Sequence, residues 1–565
     1  MRYLWRKRRG KIHTEIHPDE ILIDSSNLPD FDRDQFEGRL ERPLSRRSFV
    51  AAGILAVCVC VLLLGRAGQL QVVRGASYAE RARNNQLAQD IIFADRGLIV
   101  DRNDVPLAYN ERTNDDDFAK RVYASFEGLA HVVGYVQPPT KDSSGVYFRK
   151  TFVGVDGAEH VFDQALGGTN GTRLAETDAR GAVVSESVIE PPKPGQKLVL
   201  SIDAKLTEGL YKAIAARAEE SGFQGGAGLI MDVHTGEVLA LTSYPEFDQN
   251  AVASGDAAVI KSLNANKRQP FLDRAVDGLY APGSIVKPIV GAAALTEGVI
   301  DEYKQILSTG ALTVPNPYDP KKPTVFRDWR VNGWTDLRRA IAVSSDIYFY
   351  EVGGGFGDQK GLGIDKLGEY YRMFGFGSDA GLVGFSSKTG NIPSREWKEK
   401  TFPNDPVWRV GNTYHTSIGQ YGMQVTPLQA LRAAAALANG GTLLTPTLIK
   451  TEGQANTPST ELPLSAHVIQ VVQEGMRMSV TDGVAQALKF DFVHVAAKTG
   501  TAEVGARNEF INSWMIGFFP YENPKYAYAV VLERGPTGTL IGASATMYTF
   551  LQWMREHAPE YLEEA

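Results

Sequence analysis

The chain has 565 residues, too many for one compact domain, so at least two domains are expected. Hydrophobic residues make up 43% of it, enough for a large buried core. A net charge of −7 argues against nucleic-acid binding, which needs a basic face for phosphates. The only cysteines, Cys58 and Cys60, lie two apart in an apolar run, which excludes a disulfide framework and a cysteine-based zinc site.

A run of 17 residues from Phe49 to Gly65 carries no charge and has arginines on both sides. As a helix it spans roughly 25 Å, near the lower limit for a bilayer core, and the arginines can extend its reach by snorkelling. A cleaved signal peptide would have a shorter lead-in and a shorter apolar core. We therefore predict an uncleaved transmembrane anchor over residues 48–68.

The tail before the anchor, residues 1–47, holds eleven Lys and Arg and nine acidic residues but few core-forming side chains. This composition predicts disorder. Positive charges close to the anchor are nearly balanced on its two sides, so charge alone does not fix the orientation. We predict a cytoplasmic tail and an extracytoplasmic domain, partly because the chemistry below requires it.

Two regions are predicted after the anchor. Residues 69–195 form the first, in which two β-rich runs over 97–110 surround an Asn-Asp turn and read as a hairpin. The Pro/Gly-rich segment 191–195 marks the boundary. Residues 196–565 form the second, with strand patterns at both ends and helical patterns from about 283 to 438. This order predicts an α/β sheet domain that carries an all-helical insertion.

Ser284 and Lys287 form a Ser-x-x-Lys pattern at a predicted helix start. Pro282 and Gly283 make a turn before it, and Pro288 is tolerated only in the first turn of a helix. Lys287 then lies over the same face as Ser284, so its amine can reach the hydroxyl and act as a base. Taken alone, the pattern is more often an N-cap serine with a solvated lysine, so the catalytic interpretation depends on the other motifs.

Lys498, Thr499, Gly500 and Thr501 follow a strand-like pattern that covers residues 492–504. A strand directs Thr499 and Thr501 to one face, and Gly500 lets another backbone approach closely. A pair of hydroxyls beside a cation can form a binding site for a substrate carboxylate. The cation of Lys498 could also lower the pKa of Lys287, as desolvation could, and a lowered pKa would let Lys287 act as a base.

A second Lys-Thr-Gly copy begins at Lys388, within a loop rich in Gly, Ser and Pro. No strand pattern precedes this copy, so we predict that it forms a solvated turn.

The third motif is a Ser-x-Asp triplet formed by Ser344 and Asp346, at the point where a loop meets a predicted helix. Such triplets are common, and this one could simply cap a helix. However, it follows Ser284 by 60 residues and precedes Lys498 by 154, and no other Ser-x-[Asn/Asp] triplet lies between those two residues. The chain has no Gly-x-Ser-x-Gly elbow and no His-Glu-x-x-His pair, so these rival hydrolase motifs are missing.

The three motifs, in this order, resemble those of the penicillin-binding protein and serine β-lactamase superfamily. Several further segments resemble class B penicillin-binding proteins: RGLIVDRNDVPLA, GVDGAEHVFDQALGGTNGT with ETDARG, TGEVLALTSYPEFDQN, YAPGSIVKP and VTPLQA. SSDIYFY and IPSREWK resemble the elongation-type branch, penicillin-binding protein 2, in which many members have Asn where this chain has Asp346. The chain departs from the branch in a shorter pedestal head and in Asp104, which replaces a usual glycine.

The resemblance implies a transpeptidase-like domain over 196–565, an antiparallel sheet flanked by helices with an all-helical subdomain, preceded by an elongated, mainly β pedestal over 69–195. It also implies a D,D-transpeptidase of the cytoplasmic membrane that needs no metal or organic cofactor. Its expected partners are peptidoglycan stem peptides, β-lactams and a polytopic SEDS-type glycosyltransferase with other wall-synthesis proteins.

The resemblance further assigns roles to the residues of the motifs. Ser284 would attack the carbonyl between the last two D-alanines of a stem peptide, with Lys287 as base and Ser344 as proton relay to the leaving amine. The residues expected to hold the substrate carboxylate are Lys498, Thr499 and Thr501, beside Gly500, and backbone N–H groups of Ser284 and Thr501 would form the oxyanion hole.

Asp346 introduces a tension into this assignment. A carboxylate near Lys287 favours its protonated form, which opposes a role as base, and Lys498 would offset this if it were close. Other functions stay open at the level of sequence: a β-lactam sensor or β-lactamase, a division-type transpeptidase, or a non-catalytic scaffold of the wall-synthesis complex.

Overall fold

The computed structural model describes residues 46–76, 78, 87–113, 116–177, 183–316, 319, 321–383, 385–451 and 458–562. The chain divides between Leu87 and Ala88 into two units. The tail predicted to be disordered, residues 1–47, lies outside the described residues except for Arg46 and Arg47.

The first unit contains one long apolar helix, α1 (Arg46–Gly68), which continues as a π-helical turn over Gln69–Val73. Together they make 28 residues, with a mean hydropathy of 2.7 in the most apolar window and no residue of that window buried. Aliphatic side chains lie on every side of α1, because the sequence gives it no polar face. Within the part of the chain that the structure describes, this is the one helix long and apolar enough to cross a membrane.

The second unit begins with a mainly β region, as predicted. Its strands are β1 (Leu87–Ile92), β2 (Ile99–Val100), β3 (Pro106–Glu111), β4 (Lys120–Tyr123), β5 (Val136–Gln137), β6 (Thr140–Lys141), β7 (Tyr147–Arg149), β8 (Val153–Gly154), β9 (Gly171–Thr177), β10 (Val183–Glu190) and β11 (Leu198–Val199). They form a three-stranded sheet of order β1-β9-β10, a four-stranded sheet of order β11-β2-β3-β4, and the pairs β5-β8 and β6-β7. Three short helices accompany them: α2 (Ala130–Val133), α3 (Gly157–Val161) and α4 (Asp163–Leu166).

The predicted hairpin is formed by β2 and β3. One carboxylate oxygen of Asp101 accepts the backbone N–H groups of Asn103 at 2.7 Å and Val105 at 2.8 Å, which closes the turn. Asp104 adopts a left-handed backbone with φ of 63°. Aspartate tolerates this conformation better than most residues do, so the turn forms without the usual glycine.

A buried ion cluster holds β4 against α3. Glu159 is fully buried, and its carboxylate accepts from Arg96 Nε at 2.5 Å and from Arg121 Nε at 2.7 Å. Both guanidinium groups are also buried. Because Glu159 is paired on both oxygens, the cost of removing its charge from water is offset by charge-assisted hydrogen bonds.

The remaining strands are β12 (Gly225–Asp232), β13 (Val238–Tyr244), β14 (Ile306–Ser308), β15 (Ala311–Val314), β16 (Thr324–Arg327), β17 (Gly333–Thr335), β18 (Thr442–Leu444), β19 (Ser459–Glu461), β20 (Ala496–Val504), β21 (Phe510–Phe519) and β22 (Tyr526–Pro536). Five of them form the central antiparallel sheet, in the order β13-β12-β22-β21-β20. Strands from the two ends of the predicted domain therefore lie side by side, as expected.

The helices of this region are α5 (Ala204–Ser221), α6 (Gln249–Ala253), α7 (Ala257–Ala265), α8 (Lys287–Thr296), α9 (Leu337–Val343), α10 (Asp346–Gly354), α11 (Gly363–Met373), α12 (Arg395–Thr401), α13 (Val410–Ser417), α14 (Pro427–Ala438), α15 (Ala466–Thr481) and α16 (Ala543–His557). Helices α5 and α16 cover one face of the sheet and α14 the other. Leu229 belongs to the core on one face and Ile230 to the core on the other, so β12 is buried on both sides.

The helical region also contains two ribbons that the sequence did not predict. Strand β14 pairs with β17, and β15 pairs with β16. These strands have only three or four residues each, so the alternation that marks a strand is too short to stand out in sequence. They lead the chain from α8 to α9, beside the site described below.

Glu246 joins the β region to the central sheet. It follows β13, and its two carboxylate oxygens accept the N–H groups of Gly128 at 2.6 Å and Ala130 at 3.0 Å. Burial raises the pKa of Glu246 from 4.5 to about 7, against the opposing effect of these two hydrogen bonds. The folded protein therefore keeps a proton on Glu246 where the unfolded chain has lost it.

We expect Glu246→Gln to reduce the pH dependence of stability between about pH 5 and about pH 8. In this window the folded state binds more protons than the unfolded state, so the contribution of Glu246 to the free energy of unfolding falls as pH rises. Thermal unfolding of the full chain in detergent at both pH values measures the effect. Glu127→Gln, at a nearby exposed position, is the control and should keep the pH dependence of the unaltered chain; an unchanged slope in Glu246→Gln would contradict the assignment.

Candidate active site

Ser284 is half-buried in a 3-10 turn, Gly283–Val286, that leads directly into α8. The α-helix itself begins at Lys287, three residues after the predicted start at Ser284, and Ser284 lies in the tight turn that precedes it. Pro288 lies in the first turn of α8, where its missing N–H costs nothing. Lys287, at the start of α8, is completely buried.

Two glycines bring this turn against β20. Gly283 has a φ of 57°, and a Cβ on it would lie 2.7 Å from the carbonyl oxygen of Thr501. A Cβ on Gly500 would lie 2.9 Å from the carbonyl oxygen of Pro282. Real side chains do not fit at such distances, so glycine at both positions is required for the backbone of the turn to touch the strand.

Strand β20 lies at one edge of the central sheet, and β21 is its only partner within the described residues. Lys498 and Gly500 are buried, whereas Thr499 is half-buried and Thr501 is exposed. The alternation places the two threonine side chains on one face of the strand, as predicted. The unpaired edge leaves room for an extended peptide to bind alongside.

Ser344 lies between α9 and α10, at a sharp change of chain direction. Its backbone is left-handed, with φ of 58° and ψ of 41°, a conformation that costs a non-glycine residue roughly 1–2 kcal/mol. The side chain of Ser345 caps α10, and Asp346 is the first residue of that helix. The capping role that the triplet alone could have had is taken by Ser345, while Ser344 occupies a strained turn.

The side chain of Ser344 is held between two buried lysines. Lys287 Nζ donates to the carbonyl oxygen of Ser344 at 2.8 Å and to its Oγ at 3.2 Å. Lys498 Nζ donates to the same Oγ at 2.8 Å and to the carbonyl oxygen of Thr499 at 2.8 Å. Because both ammonium groups donate to Ser344 Oγ, its own O–H is left to donate to a further group.

The charges of the cluster are two ammonium groups and one carboxylate. Lys287 Nζ lies 2.7 Å from Asp346 Oδ1, so the ion pair that the sequence analysis anticipated is present. Burial lowers the pKa of Lys498 well below its usual value, and the positive charge of Lys287 lowers it further, whereas Asp346 acts in the opposite direction. Lys498 therefore holds its proton more weakly than a lysine exposed to water does.

Lys287 gives its hydrogen bonds to Ser344 and Asp346 and none to Ser284 Oγ. The direct contact between Lys287 Nζ and Ser284 Oγ that the Ser-x-x-Lys spacing suggested is therefore not made. Catalytic hydrogen bonds are often long before substrate binds and shorten in the reacting complex, so Lys287 remains a candidate for the base that acts on Ser284.

The second Lys-Thr-Gly copy lies in a loop, as predicted. Lys388 is exposed, and its backbone N–H donates to the carbonyl oxygen of Val276 at 3.0 Å. The carbonyl of Thr389 accepts from the side chain of Gln429 at 2.9 Å. No contact of this loop among the described residues reaches Ser284 or Ser344.

The cluster suits an anionic ligand. Protonated lysines offer N–H donors and no free electron pair, and the one carboxylate, Asp346, is already paired with Lys287. Elsewhere in the described ranges no group of three or more His, Cys, Asp or Glu side chains converges so as to hold a metal ion.

Sequence reasoning missed two residues beside the cluster, Asp328 and Trp329. Asp328 Oδ2 accepts from Ser345 Oγ at 2.8 Å, and Trp329 Nε1 donates to the carbonyl oxygen of Val343 at 3.2 Å. They lie more than ten residues before Ser344 and fit none of the motifs. Only the ribbon formed by β15 and β16 brings them to the junction of α9 and α10.

Comparison with known proteins identifies the family. Residues 226–551, more than half of the chain, match the model of the penicillin-binding protein transpeptidase domain, and residues 116–200 match that of the penicillin-binding protein dimerisation domain. The peptidoglycan D,D-transpeptidase MrdA of Haemophilus influenzae is 31% identical over an alignment of 479 positions, which covers 78% of this chain and 70% of that protein. MrdA of Escherichia coli K12 is 27% identical over an alignment of 605 positions, which covers 88% of this chain and 92% of that protein.

Solved structures agree in fold. Penicillin-binding protein 2 (PBP2) of Pseudomonas aeruginosa is similar with a TM-score of 0.68 and 31% identity, over 85% of this chain and 100% of that one. PBP2 of Helicobacter pylori, in a complex with MreC, is similar with a TM-score of 0.68 and 26% identity, over 84% of this chain and 99% of that one. The chain belongs to the penicillin-binding protein transpeptidase family. The similarity to MrdA and PBP2 proteins confirms the predicted resemblance to the penicillin-binding protein 2 branch.

We expect the two Lys-Thr-Gly copies to differ sharply in acylation by a β-lactam. Lys498→Ala removes a cation that contacts Ser344, so it should slow acylation at least ~10-fold, equivalent to ~1.4 kcal/mol of transition-state stabilisation. Lys388→Ala changes an exposed loop and should leave the rate within about twofold. Stopped-flow rates with one β-lactam compare the variants; a slow Lys388 variant beside a normal Lys498 variant would show that the wrong copy was chosen.

Proposed function

We propose that the protein is a membrane-anchored peptidoglycan D,D-transpeptidase of the elongation type. The observation that carries the proposal is the pair of buried lysines on Ser344 Oγ, next to the turn that presents Ser284 and along the free edge of β20. The names of the relatives, MrdA and PBP2, support the same activity.

In the acylation step, Ser284 Oγ attacks the carbonyl carbon between the last two D-alanines of a stem peptide. A carbon–oxygen bond forms, the carbon–nitrogen bond breaks, and D-alanine leaves with the proton that the serine loses. Lys287 is the proposed base, because it is buried at the start of the helix that Ser284 leads into. The N–H groups of Ser284 and Thr501 are the proposed donors to the oxyanion, since the turn and β20 touch at this point.

Ser344 is the proposed route for the proton to the leaving amine. Its Oγ accepts from both lysines, so its O–H can donate to the departing nitrogen while a lysine supplies the replacement proton. This relay also connects the two lysines through one hydroxyl. A proton taken up from Ser284 can therefore reach the amine without crossing bulk water.

Lys498, Thr499 and Thr501 are proposed to bind the terminal carboxylate of the stem peptide. The peptide then lies as an extra strand on the free edge of β20, with its scissile carbonyl over Ser284. Burial and the charge of Lys287 lower the pKa of Lys498, and an arriving carboxylate favours its protonated form. Lys498 as a full cation next to the same hydroxyl repels the charge of Lys287 and so counteracts the pull of Asp346.

The acyl-enzyme is resolved by an amine from a neighbouring stem peptide, which gives the cross-link; water in its place gives carboxypeptidase activity. The alternatives have less support. A β-lactamase needs a base for its deacylating water, and the sequence has no convincing Glu-x-x-x-Asn loop for it. A silent scaffold would have no reason to bury two lysines on one hydroxyl.

The proposed location is the cytoplasmic membrane, with α1 as a single span, the tail in the cytoplasm and the catalytic domain outside, where peptidoglycan lies. The proposed partners include a SEDS-type glycosyltransferase. A solved chain of a peptidoglycan synthase complex, 28% identical with a TM-score of 0.69, supports a place in such an assembly.

A fluorescent penicillin should label Ser284. Peptide mapping of the labelled, purified protein is expected to find the modification on this residue, and Ser284→Ala should remove it because no other serine lies in the same turn. Ser254→Ala, on an exposed surface turn, is the matched control and should label fully. Label retained in Ser284→Ala would refute the assignment.

Protease added to intact spheroplasts should digest the domain beyond the anchor and leave an N-terminal tag protected. The reason is that α1 provides one span and the proposed transpeptidation needs the catalytic domain on the outer side, where peptidoglycan lies. Immunoblots against the tag and the domain measure the outcome, and detergent-lysed cells are the control in which both are digested. A digested tag with a protected domain would reverse the orientation.

A further inference from the structure

Asp328 is the centre of a buried hydrogen-bond network next to Ser344. Its Oδ2 accepts from Ser308 Oγ at 2.9 Å, Ser345 Oγ at 2.8 Å and Asn332 Nδ2 at 3.1 Å, and from the backbone N–H of Ile347 at 3.3 Å. Ser308 and Ser345 are fully buried and Asp328 is 9% exposed. One carboxylate oxygen thus connects β14, the end of β16 and the start of α10.

The chemistry of the carboxylate fixes the direction of these bonds. An ionised carboxylate only accepts, so the hydroxyl of Ser345 must donate to Asp328, and its lone pair then faces the backbone N–H of Tyr348, 3.4 Å away. Asp328 also accepts the N–H of Ile347, one of the otherwise unpaired donors in the first turn of α10. The first turn of α10 is therefore anchored by one negative charge at its positive end.

The other side of Ser344 is held by the next residue along the chain. Trp329 Nε1 donates to the carbonyl oxygen of Val343, the last residue of α9. Both neighbours of Ser344 in the chain are therefore held in place. Trp329 binds Val343 on one side, and Asp328 binds Ser345 on the other. A left-handed non-glycine residue persists only where its surroundings enforce it, and these two bonds supply that constraint.

The position of Ser344 matters because its carbonyl oxygen and its hydroxyl oxygen both accept hydrogen bonds from the buried lysines. Its carbonyl oxygen accepts from Lys287, and its Oγ accepts from Lys287 and Lys498. A relaxed backbone at Ser344 would turn the carbonyl and the hydroxyl away from the lysines together.

We propose that Asp328 is a positioning residue for the reaction, which holds the strained turn so that Ser344 engages both lysines. The inference rests on the proposed acyl-serine function. It adds a residue outside the three motifs that acts through Ser345 and touches no substrate.

Asp328→Asn is the test. The amide keeps the size of the side chain but removes its charge and replaces one acceptor oxygen by an N–H donor. Either the bonds that Oδ2 accepts from Ser345 and Ile347 are lost, or the bond that Oδ1 accepts from the backbone N–H of Trp329 at 2.9 Å is lost, and the bonds that remain lose the strength that a charged acceptor gives them. We expect the first-order acylation constant with a β-lactam to fall about tenfold, while the dissociation constant of the non-covalent complex stays within about twofold. Both constants come from one stopped-flow series on the full chain in detergent, well below the unfolding temperature of each variant.

Asp336→Asn is the matched control. Asp336 caps α9 by accepting the N–H of Arg339 at 2.8 Å, and asparagine caps helices equally well. The same chemical change one helix away should leave both constants within about twofold. A comparable slowing in this variant would mean that Asp328→Asn acts through general loosening of the domain, and would overturn the proposal.

Ser345→Ala provides an independent approach, because it removes the same contact and leaves the carboxylate in place. It should slow acylation in the same sense, and the double variant should lose little more than Asp328→Asn alone, since both changes break one connection. Losses that multiply, or an Asp328→Asn rate within twofold of the unaltered chain, would overturn the proposal. Penicillin labelling of the unaltered chain at Ser284 tests the proposed function separately, so failure of one is distinguishable from failure of the other.

Discussion

The hydroxyl of Ser344 accepts hydrogen bonds from two buried ammonium groups. The charged groups around it lower the free-energy cost of bringing these two positive charges together. Two like charges without water repel each other strongly. The protein reduces that cost in two ways: Asp346 pairs with Lys287, and the proton of Lys498 is weakly held. An anionic substrate would complete the charge balance, so the charges of the site favour a carboxylate.

Three distant segments have to meet for this contact to form. Lys287 begins a helix buried in the domain core, Lys498 comes from the edge strand of the sheet, and Ser344 comes from a turn between two helices. The sheet supports the meeting, because β20 pairs with β21 along its whole length and the glycines at positions 283 and 500 let the turn that contains Ser284 pack directly against it. The free edge of β20 and the turn that contains Ser284 are therefore held together by direct backbone contact.

Much of this site could be read from the sequence, because its parts are local patterns. Pro and Gly around Ser284 fix a turn and a helix start, and alternation in β20 places Thr499 and Thr501 together. The same reasoning separated Lys498 from Lys388, since only one copy follows a strand pattern. The boundary of the domains at residues 195 and 196 stays a prediction.

Asp328 could not be read in this way. It follows a four-residue strand and resembles any polar residue at the end of a ribbon. Its importance arises from Ser345, which is 17 residues away in sequence and 2.8 Å away in space. The ribbons themselves were also missed, because strands of three or four residues carry too few alternating positions to be distinguished from a helical surrounding.

The sequence by itself determined the apolar helix, the strands at both ends of the second region with helices between them, and the identity of the residues with reactive groups. Each of these depends on neighbours within a few positions, through hydrophobic periodicity, turn residues and the restricted backbone of proline and glycine. Tertiary structure alone decided which lysine contacts which oxygen, the left-handed turn at Ser344 and the buried carboxylate that holds it. Those features depend on distances between segments far apart in the chain, and such distances are set only when the core packs.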